Sequence, residues 1–186
     1  MRRAVISLIL AAVLTPAAPP GALSVKRKID LIQTGRAPRG SKVTLSRDEL
    51  NAYVRSELRT VAPEGVRDPR LDLGDNRATG YAYIDFPKLQ QSQGRPMNWL
   101  LAKLLEGERP VRVDARIQSG GGKATVHVDR VEVSGVSISG GALDYLIRNY
   151  LWSYYPEAKV NRPFELAHRI DRLEVQPAQV NVVIGK

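Results

Sequence analysis

The sequence of 186 residues contains no cysteine and only two histidines. Without cysteine it offers no disulfide, no thiolate nucleophile, no Cys-based zinc site and no iron–sulfur cluster, and two histidines leave little material for a His-rich metal site. Aromatic residues make up only 6%, and 19 acidic residues stand against 28 basic ones, which gives a net charge of +9. These shortages weaken most enzyme hypotheses before any motif is considered.

The rest of the composition fits a globular protein. Hydrophobic residues make up 43% and charged residues 25% of the chain, as in an average soluble domain. The length allows one domain with a substantial core. The positive charge raises the question of nucleic acid, but the basic residues are spread along the chain, so we expect no nucleic-acid partner.

A long apolar run lies near the N-terminus, over residues 4–14. Arg2 and Arg3 precede it, and a stretch rich in Pro and Ala follows it as far as Ser24. This run is too short for a transmembrane helix, which needs about 20 apolar residues. The pattern is typical of a secretory signal peptide. We predict that cleavage between Ser24 and Val25 removes residues 1–24 and leaves a periplasmic or secreted protein; an uncleaved anchor and a soluble helix are the alternatives.

Residues 25–41 are rich in Lys and Arg and contain a single acid, Asp30. Gly and Pro residues punctuate the second half of this segment. We predict a basic flexible leader with a short edge strand at Ile29–Ile32. It is either a solvated leader or a contact with an anionic lipid or polymer surface, where each nearby cation adds about 1 kcal/mol.

Local signals in the following residues predict alternating strands and helices. Ser46 and Glu49 form a capping box, and apolar residues at helical spacing follow it. This pattern predicts a short strand that leads into a helix over 47–60. Alternating apolar residues predict a hairpin over 66–86 with its turn at Asp75–Asn76.

A second hairpin is predicted over 111–133, with its turn at Ser119–Lys123. In its second strand the apolar phase slips by one residue, which would turn side chains to the wrong face unless a β-bulge absorbs it near Asp129–Arg130. A second slip occurs at Gly135. Because bulges bend strands, we predict a long, strongly curved antiparallel hairpin. A closing hairpin is predicted over 170–184.

The search for catalytic or metal-binding motifs returns little. The triple glycine at 120–122 lacks P-loop spacing and lies between two strands, so we interpret it as a hairpin turn. His127 and His168 could ligate a metal or act as bases, but nothing in the sequence brings them together. Acidic residues between 68 and 85 are interleaved with arginine, which is typical of a solvated strand face rather than a glycosidase or calcium site. We predict no catalytic residue, no metal and no cofactor.

Two helices are more apolar than a surface helix needs to be. The first, over 96–105, is apolar nearly all round, and the second begins after Gly140–Gly141 and is rich in aromatic residues. Such helices are buried deeply or face something apolar. We predict that they either fill the concave side of a curved sheet or bound a groove for a lipid chain, with Trp and Tyr at its mouth. The groove candidates are Met97, Trp99, Leu100, Leu104, Tyr145, Leu146, Tyr150 and Trp152, and the candidates for binding an anionic head group are Arg95, Lys103 and Arg148.

The order of these patterns resembles a known group of proteins. The segment VTLSRDELNAY, from Val43 to Tyr53, resembles the opening strand and Ser/Thr-x-x-Glu-Leu-Asn helix of small bacterial YceB-like and YpmS-like envelope proteins. The run Val126–Ile138 and the ending 170–182 resemble their long strand and closing hairpin. This group is similar to tubular lipid-binding (TULIP-like) domains, so the resemblance implies a curved sheet on a helix, an apolar channel and lipid-like ligands. YceB-like members are lipoproteins, whereas this sequence has no cysteine to lipidate.

The expected fold is therefore α+β: a strongly curved antiparallel β-sheet wrapped around apolar α-helices, a TULIP-like half-pipe, in a single domain over residues 42–186. The expected function is non-enzymatic binding of a lipid or other apolar molecule in a groove between sheet and helices, where burial contributes about 0.8 kcal/mol per CH₂. Peripheral contact with an anionic membrane surface is a further expectation. The alternative is a protein-interaction or scaffold domain without a small ligand, and a third hypothesis is a hydrolase whose Asp, His or Ser groups form no visible motif.

Overall fold

A computed structural model describes residues 20–61, 65–89, 99–152 and 159–186. Its strands form two antiparallel sheets, which confirms the α+β class. The helices are α1 (Pro20–Gln33), α2 (Arg47–Val61), α3 (Phe86–Leu89), α4 (Trp99–Leu104) and α5 (Gly140–Leu146), which continues as a π-helical segment (Ile147–Leu151). The strands are β1 (Lys42–Ser46), β2 (Val66–Gly74), β3 (Arg77–Asp85), β4 (Glu108–Gly120), β5 (Lys123–Val133), β6 (Val136–Ile138), β7 (Phe164–Glu165), β8 (Ile170–Gln176) and β9 (Gln179–Ile184).

The smaller sheet has the strand order β1–β9–β8 and packs against α1 and α2. Leu50 and Tyr53 of α2 reach its apolar core. The buried members of this core are Val25, Ile32, Ala37, Leu45, Val182 and Ile184. The core therefore joins the first described helix to the last strand of the chain.

Helix α1 occupies the region where the sequence suggested a flexible leader. The predicted edge strand at Ile29–Ile32 is wrong, because these residues are helical. Val25 is fully buried and Ile32 is 6% exposed, and with Ile29 between them the three residues recur at helical spacing. The basic residues Lys26 and Arg27 lie on the exposed side of the same helix. The predicted domain boundaries themselves stay predictions.

Glu49 connects α1 to the start of α2. The capping box is confirmed: Glu49 N–H donates to Ser46 Oγ at 3.1 Å, and Ser46 N–H donates to Glu49 Oε2 at 2.9 Å. The same carboxylate accepts hydrogen bonds from Ser24 Oγ at 2.7 Å and from Lys28 Nζ at 2.7 and 2.8 Å. Burial alone raises the pKa of Glu49, but these hydrogen bonds outweigh it and lower the pKa from 4.5 to about 2. The predicted cleavage bond, Ser24–Val25, adjoins this contact.

The larger sheet has the order β2–β3–β4–β5–β6, and β7 pairs with β5. Its two long hairpins turn where the sequence predicted, at Asp75–Asn76 and at Gly121–Gly122. Gly121 and Gly122 both have positive φ, at 59° and 76°, as a type I′ hairpin turn requires. At the other turn Asn76 has positive φ, at 53°, whereas Asp75 does not. Both hairpins are therefore confirmed, and the triple glycine contributes a turn.

The predicted bulge in β5 is also confirmed. Asp114 lies opposite Arg130, whereas Ala115 lies opposite Val128, so Asp129 is the extra residue in β5. Because one residue is absorbed there, the apolar residues on both sides of the bulge face the same core.

The second phase slip has a different cause. Ser134 and Gly135 have φ values of 52° and 78° and form the tight turn between β5 and β6, so Gly135 marks a hairpin and not a bulge. Neither sheet is strongly curled. The strong curvature predicted for the sheet is therefore not found, and the wrapping of the sheet around the helices stays a prediction.

Helices α3, α4 and α5 and the π-helical segment cover one face of the larger sheet. The Phe86 ring packs edge-on against Tyr150, with ring centres 5.1 Å apart. The buried residues of this second core are Phe86, Leu105, Val131, Val133, Ile138 and Leu146. The helix predicted over 96–105 is described from Trp99 onward, and the helix predicted after Gly140–Gly141 is confirmed as far as Trp152.

Strand β8 links the two sheets by contacting the tip of the β4–β5 hairpin. Gly122 N–H donates to Asp171 O at 2.9 Å. Ser119 Oγ donates to Leu173 O and accepts from Leu173 N–H, both at 2.8 Å. The tip of the β4–β5 hairpin therefore contacts the smaller sheet, while the opposite end of the same hairpin packs against the helices.

Candidate functional site

Four of the predicted groove residues lie between the helices and the larger sheet. Leu146 is 9% exposed, and the other three, which pack partly buried against the same core, are Leu104, Tyr145 and Tyr150. Side chains of the protein itself therefore occupy this part of the space between α4, α5 and the sheet. This is the filled arrangement, the first of the two that the sequence left open.

Three other predicted groove residues lie on the outside of the helices. Trp99 is 70% exposed, Leu100 59% and Trp152 39%. The predicted head-group residues Lys103 and Arg148 are exposed as well. The two predicted site residues that lie outside the described residues are Arg95 and Met97.

A cavity of about 850 Å³ opens beside β5, at the end of the π-helical segment. Its apolar lining residues are Val126, Leu151, Val160, Pro163 and Phe164, and its charged ones are Lys123, Lys159 and Glu165. The volume lies within the range of about 300–1,000 Å³ that is usual for small-molecule sites. We refer to this cavity as the β5 pocket.

The segment that follows Lys159 forms one wall of the β5 pocket, because it is attached to the edge of β5 that β6 leaves uncovered. Val160 forms a bridge with Val126, and Asn161 N–H donates to Val126 O at 2.9 Å. Strand β7 then pairs with β5 and places Phe164 opposite Ala124. Backbone hydrogen bonds thus hold the apolar wall in place.

The charged residues of the β5 pocket lie at its rim. Lys123, Lys159 and Glu165 are all exposed, and Glu165 lies opposite Lys123 in the β5–β7 pair. Among the described lining residues, the rim therefore carries two positive charges and one negative charge. An apolar interior below a rim with an excess of cations suits an amphiphile with an anionic head.

The other face of the larger sheet carries paired arginine and tyrosine side chains. The guanidinium of Arg67 lies 4.7 Å from the ring centre of Tyr83, and that of Arg70 lies 4.4 Å from Tyr81. Arg67 also donates to Glu108 at 2.7 Å, and this hydrogen bond is the main cause of the lowered pKa of Glu108. Further ion pairs on these strands are Arg70–Asp72, Arg112–Asp114, Arg116–Asp129 and Arg130–Glu132. Acidic neighbours thus balance much of the positive charge on this face.

The residues considered for catalysis are dispersed. His127 lies in β5 opposite Arg116, and His168 is exposed in the turn before β8. In the acidic stretch, Asp85 pairs with the neighbouring Lys88 at 3.3 Å. Within the described residues, no three His, Asp or Glu side chains are grouped so that they could hold a metal ion. No helix in the same part of the chain is long and apolar enough to cross a membrane.

Sequence reasoning did not identify the residues of the β5 pocket. Val160 and Phe164 lie in a segment without helical or strand periodicity, and only their pairing with β5 makes them a wall. Phe164 is one of two phenylalanines in the chain, which is a weak signal by itself. No protein-family model, curated protein or solved structure matches this chain.

Proposed function

We propose that the protein binds a lipid or another amphiphile with an anionic head group and catalyses no reaction. The observation that carries this proposal is the β5 pocket, with five apolar side chains among its described lining residues and with Lys123 and Lys159 at the rim. Each CH₂ group of an acyl chain buried there contributes about 0.8 kcal/mol. The two lysines attract the head group, which stays at the water-exposed rim.

The N-terminal sequence and the resemblance to YceB-like and YpmS-like proteins support a place for this binding in the cell envelope. In the TULIP-like half-pipe of this proposal, the acyl chain enters between β5 and the π-helical segment. The signal-peptide cleavage predicted between Ser24 and Val25 is part of the same proposal.

Native mass spectrometry after gentle extraction, followed by uptake of palmitate by delipidated protein, tests the proposal. Val160→Phe places a phenyl ring in the pocket wall and should weaken palmitate binding about tenfold or more, because it takes up volume that the acyl chain needs. Val136→Phe is the matched control, since Val136 lies in β6 and is 50% exposed. A delipidated protein that takes up no palmitate, or equal affinities for the two variants, would contradict the proposal.

The rim lysines provide a second test. Lys123→Gln combined with Lys159→Gln should weaken palmitate binding about fivefold per lysine, since one favourable charge contact adds about 1 kcal/mol. Binding of hexadecanol, which has the same chain and no charge, should change little. Lys26→Gln, on the exposed side of α1, is the control. Equal losses for palmitate and hexadecanol would show that the lysines do not recognise the head group.

A further inference from the structure

The chain contains two tryptophans, and both are exposed on the helices that cover the larger sheet. Trp99 is 70% exposed and Trp152 is 39% exposed, and Leu100 beside Trp99 is 59% exposed. Tryptophan is highly buried on average in globular proteins. Two exposed indoles beside an exposed leucine therefore indicate a surface that contacts something apolar.

Each tryptophan has a cation about one helical turn away. Lys103 follows Trp99 by four residues in α4, and Arg148 precedes Trp152 by four residues in the π-helical segment. Residues at this spacing lie close together on a helix surface, and both cations are exposed. The α4 side turned towards the core carries different residues, Leu101 and Leu104, and Leu105 follows them directly after the helix.

Helix α4 and the π-helical segment pack on the same core, and we propose that their exposed residues Trp99, Leu100, Lys103, Arg148 and Trp152 form one surface that docks the protein on an anionic phospholipid bilayer. Indoles prefer the boundary between acyl chains and water, and nearby Lys and Arg side chains reach the phosphates above it. The charges of Lys103 and Arg148 complement an anionic bilayer, and lysine is usually depleted in the contact surface of a protein partner. We refer to these five residues as the docking surface.

The docking surface adjoins the β5 pocket. Leu151 lines the pocket, and the next residue, Trp152, belongs to the docking surface. Docking therefore brings the pocket next to the bilayer from which it takes its ligand; this last step rests on the proposed function. The ligand class is accordingly a membrane lipid with an anionic head rather than a water-soluble anion.

Tryptophan fluorescence of the full chain tests the docking directly, because both tryptophans belong to the docking surface. The single-tryptophan variants Trp99→Phe and Trp152→Phe are mixed with vesicles of phosphatidylcholine, with and without phosphatidylglycerol. Both should show a blue shift and quenching by brominated acyl chains, and both effects should be stronger with phosphatidylglycerol. The readout is local to the indoles, so binding of vesicles by the apolar run at residues 4–14 does not imitate it.

Charge variants identify the docking residues. Lys103→Gln with Arg148→Gln should weaken the response to phosphatidylglycerol vesicles about tenfold or more, since each interfacial cation adds about 1 kcal/mol. Lys26→Gln with Arg27→Gln removes the same charge from α1 and should leave the response unchanged. Absence of quenching at both tryptophans overturns the proposal. The proposal is also overturned if both double variants lose the response to phosphatidylglycerol vesicles equally, because α1 would then contribute as much to the membrane contact.

Palmitate uptake is measured in parallel, so that a failure of the proposed ligand site can be distinguished from a failure of the proposed membrane docking. Palmitate binding without quenching overturns the docking and keeps the pocket as a ligand site. Quenching without palmitate binding keeps the docking and overturns the proposed ligand site. A protein complex that is lost on Trp99→Ser, with no quenching by brominated lipid, overturns the docking in favour of the interaction-domain alternative.

Discussion

Replacing Glu49 with glutamine tests the contact that joins α1 to α2. The fall of the Glu49 pKa from 4.5 to about 2 corresponds to an upper limit of about 3 kcal/mol of folding free energy at neutral pH. The carboxylate side chain is 15% exposed, but that of Lys28 is 35% exposed, so solvent screening reduces this limit. We therefore expect Glu49→Gln to lower the free energy of unfolding by about 1.5–2 kcal/mol at neutral pH.

The pH dependence follows from the direction of the pKa change. Because the pKa is lowered in the folded state, the stabilisation is fully present above the unfolded value of 4.5 and is lost as the pH falls towards about 2. Urea unfolding followed by circular dichroism at about pH 7, 5 and 3 measures this. The wild type and Glu49→Gln should differ almost equally at the two higher values, and by less than half as much at about pH 3.

Asp48→Asn is the matched control for the Glu49 variant. Asp48 is the preceding carboxylate in the chain, its side chain is 94% exposed, and its distance to the Arg47 guanidinium is 3.9 Å. The Asp48→Asn variant loses the same negative charge as Glu49→Gln, yet its free energy of unfolding should differ from that of the wild type by no more than about 0.5 kcal/mol. A difference that stays constant from neutral pH to about pH 3, or an Asp48→Asn variant as unstable as Glu49→Gln, would refute the reasoning.

Three further substitutions test the packing of the sheets, and a fourth, Gly141→Ala, is the control for one of them. Asn51 is 8% exposed, and its side chain donates to Leu71 O and accepts from Leu71 N–H, both at 2.8 Å. Asn51→Ala leaves both backbone groups of Leu71 without this partner and should therefore lower the free energy of unfolding in urea by about 2–3 kcal/mol. Val133→Ala should cost about 2 kcal/mol and lower Tm, since Val133 is fully buried. Gly65 has a φ of +129°, and a Cβ there would lie 3.1 Å from a backbone oxygen, so Gly65→Ala should destabilise. Gly141→Ala, in open space within α5, should be neutral or stabilising by up to about 1 kcal/mol; equal effects of the two glycine variants would contradict this.

Several elements followed directly from short-range patterns in the sequence. Ser46 and Glu49 are three residues apart and form the predicted capping box. The one-residue slip at Asp129 predicted the bulge, because the side chains on both sides must stay on the same face of the sheet. The same pattern was misleading at Gly135, where the slip arises from a turn between two strands. A phase slip alone does not distinguish a bulge from a tight hairpin.

Helix α1 shows why an amphipathic segment can be missed. Val25, Ile29 and Ile32 have helical spacing, but the many cations between them favoured the interpretation of a solvated leader. The apolar side is buried because a complementary surface is present, which includes Val182 and Ile184 of β9. That surface lies at the opposite end of the chain, so no pattern within the α1 sequence indicates that its apolar side will be buried.

The candidate site was predicted only in its general character. An apolar site beside the two apolar helices, over 96–105 and after Gly140–Gly141, was expected, yet Leu104 and Tyr150 lie in a filled core. The β5 pocket instead combines Leu151 from a helix end with Val126 from a strand and Val160 from an irregular segment. The pairing of Val126 with Val160 depends on how the chain returns to the edge of β5, which periodicity does not encode.

By itself, the sequence determined most helices, the strand pairs within hairpins, their turns and the bulge. Caps, turns and alternation depend on residues a few positions apart, so they are visible before the chain is folded. Only the tertiary structure decided the division into two sheets, the bonds from α1 to Glu49, the walls of the β5 pocket and the exposure of both tryptophans. These features depend on contacts such as Thr44 with Asn181, 137 residues apart. Which surfaces meet is set by burial of the whole chain and not by any local preference.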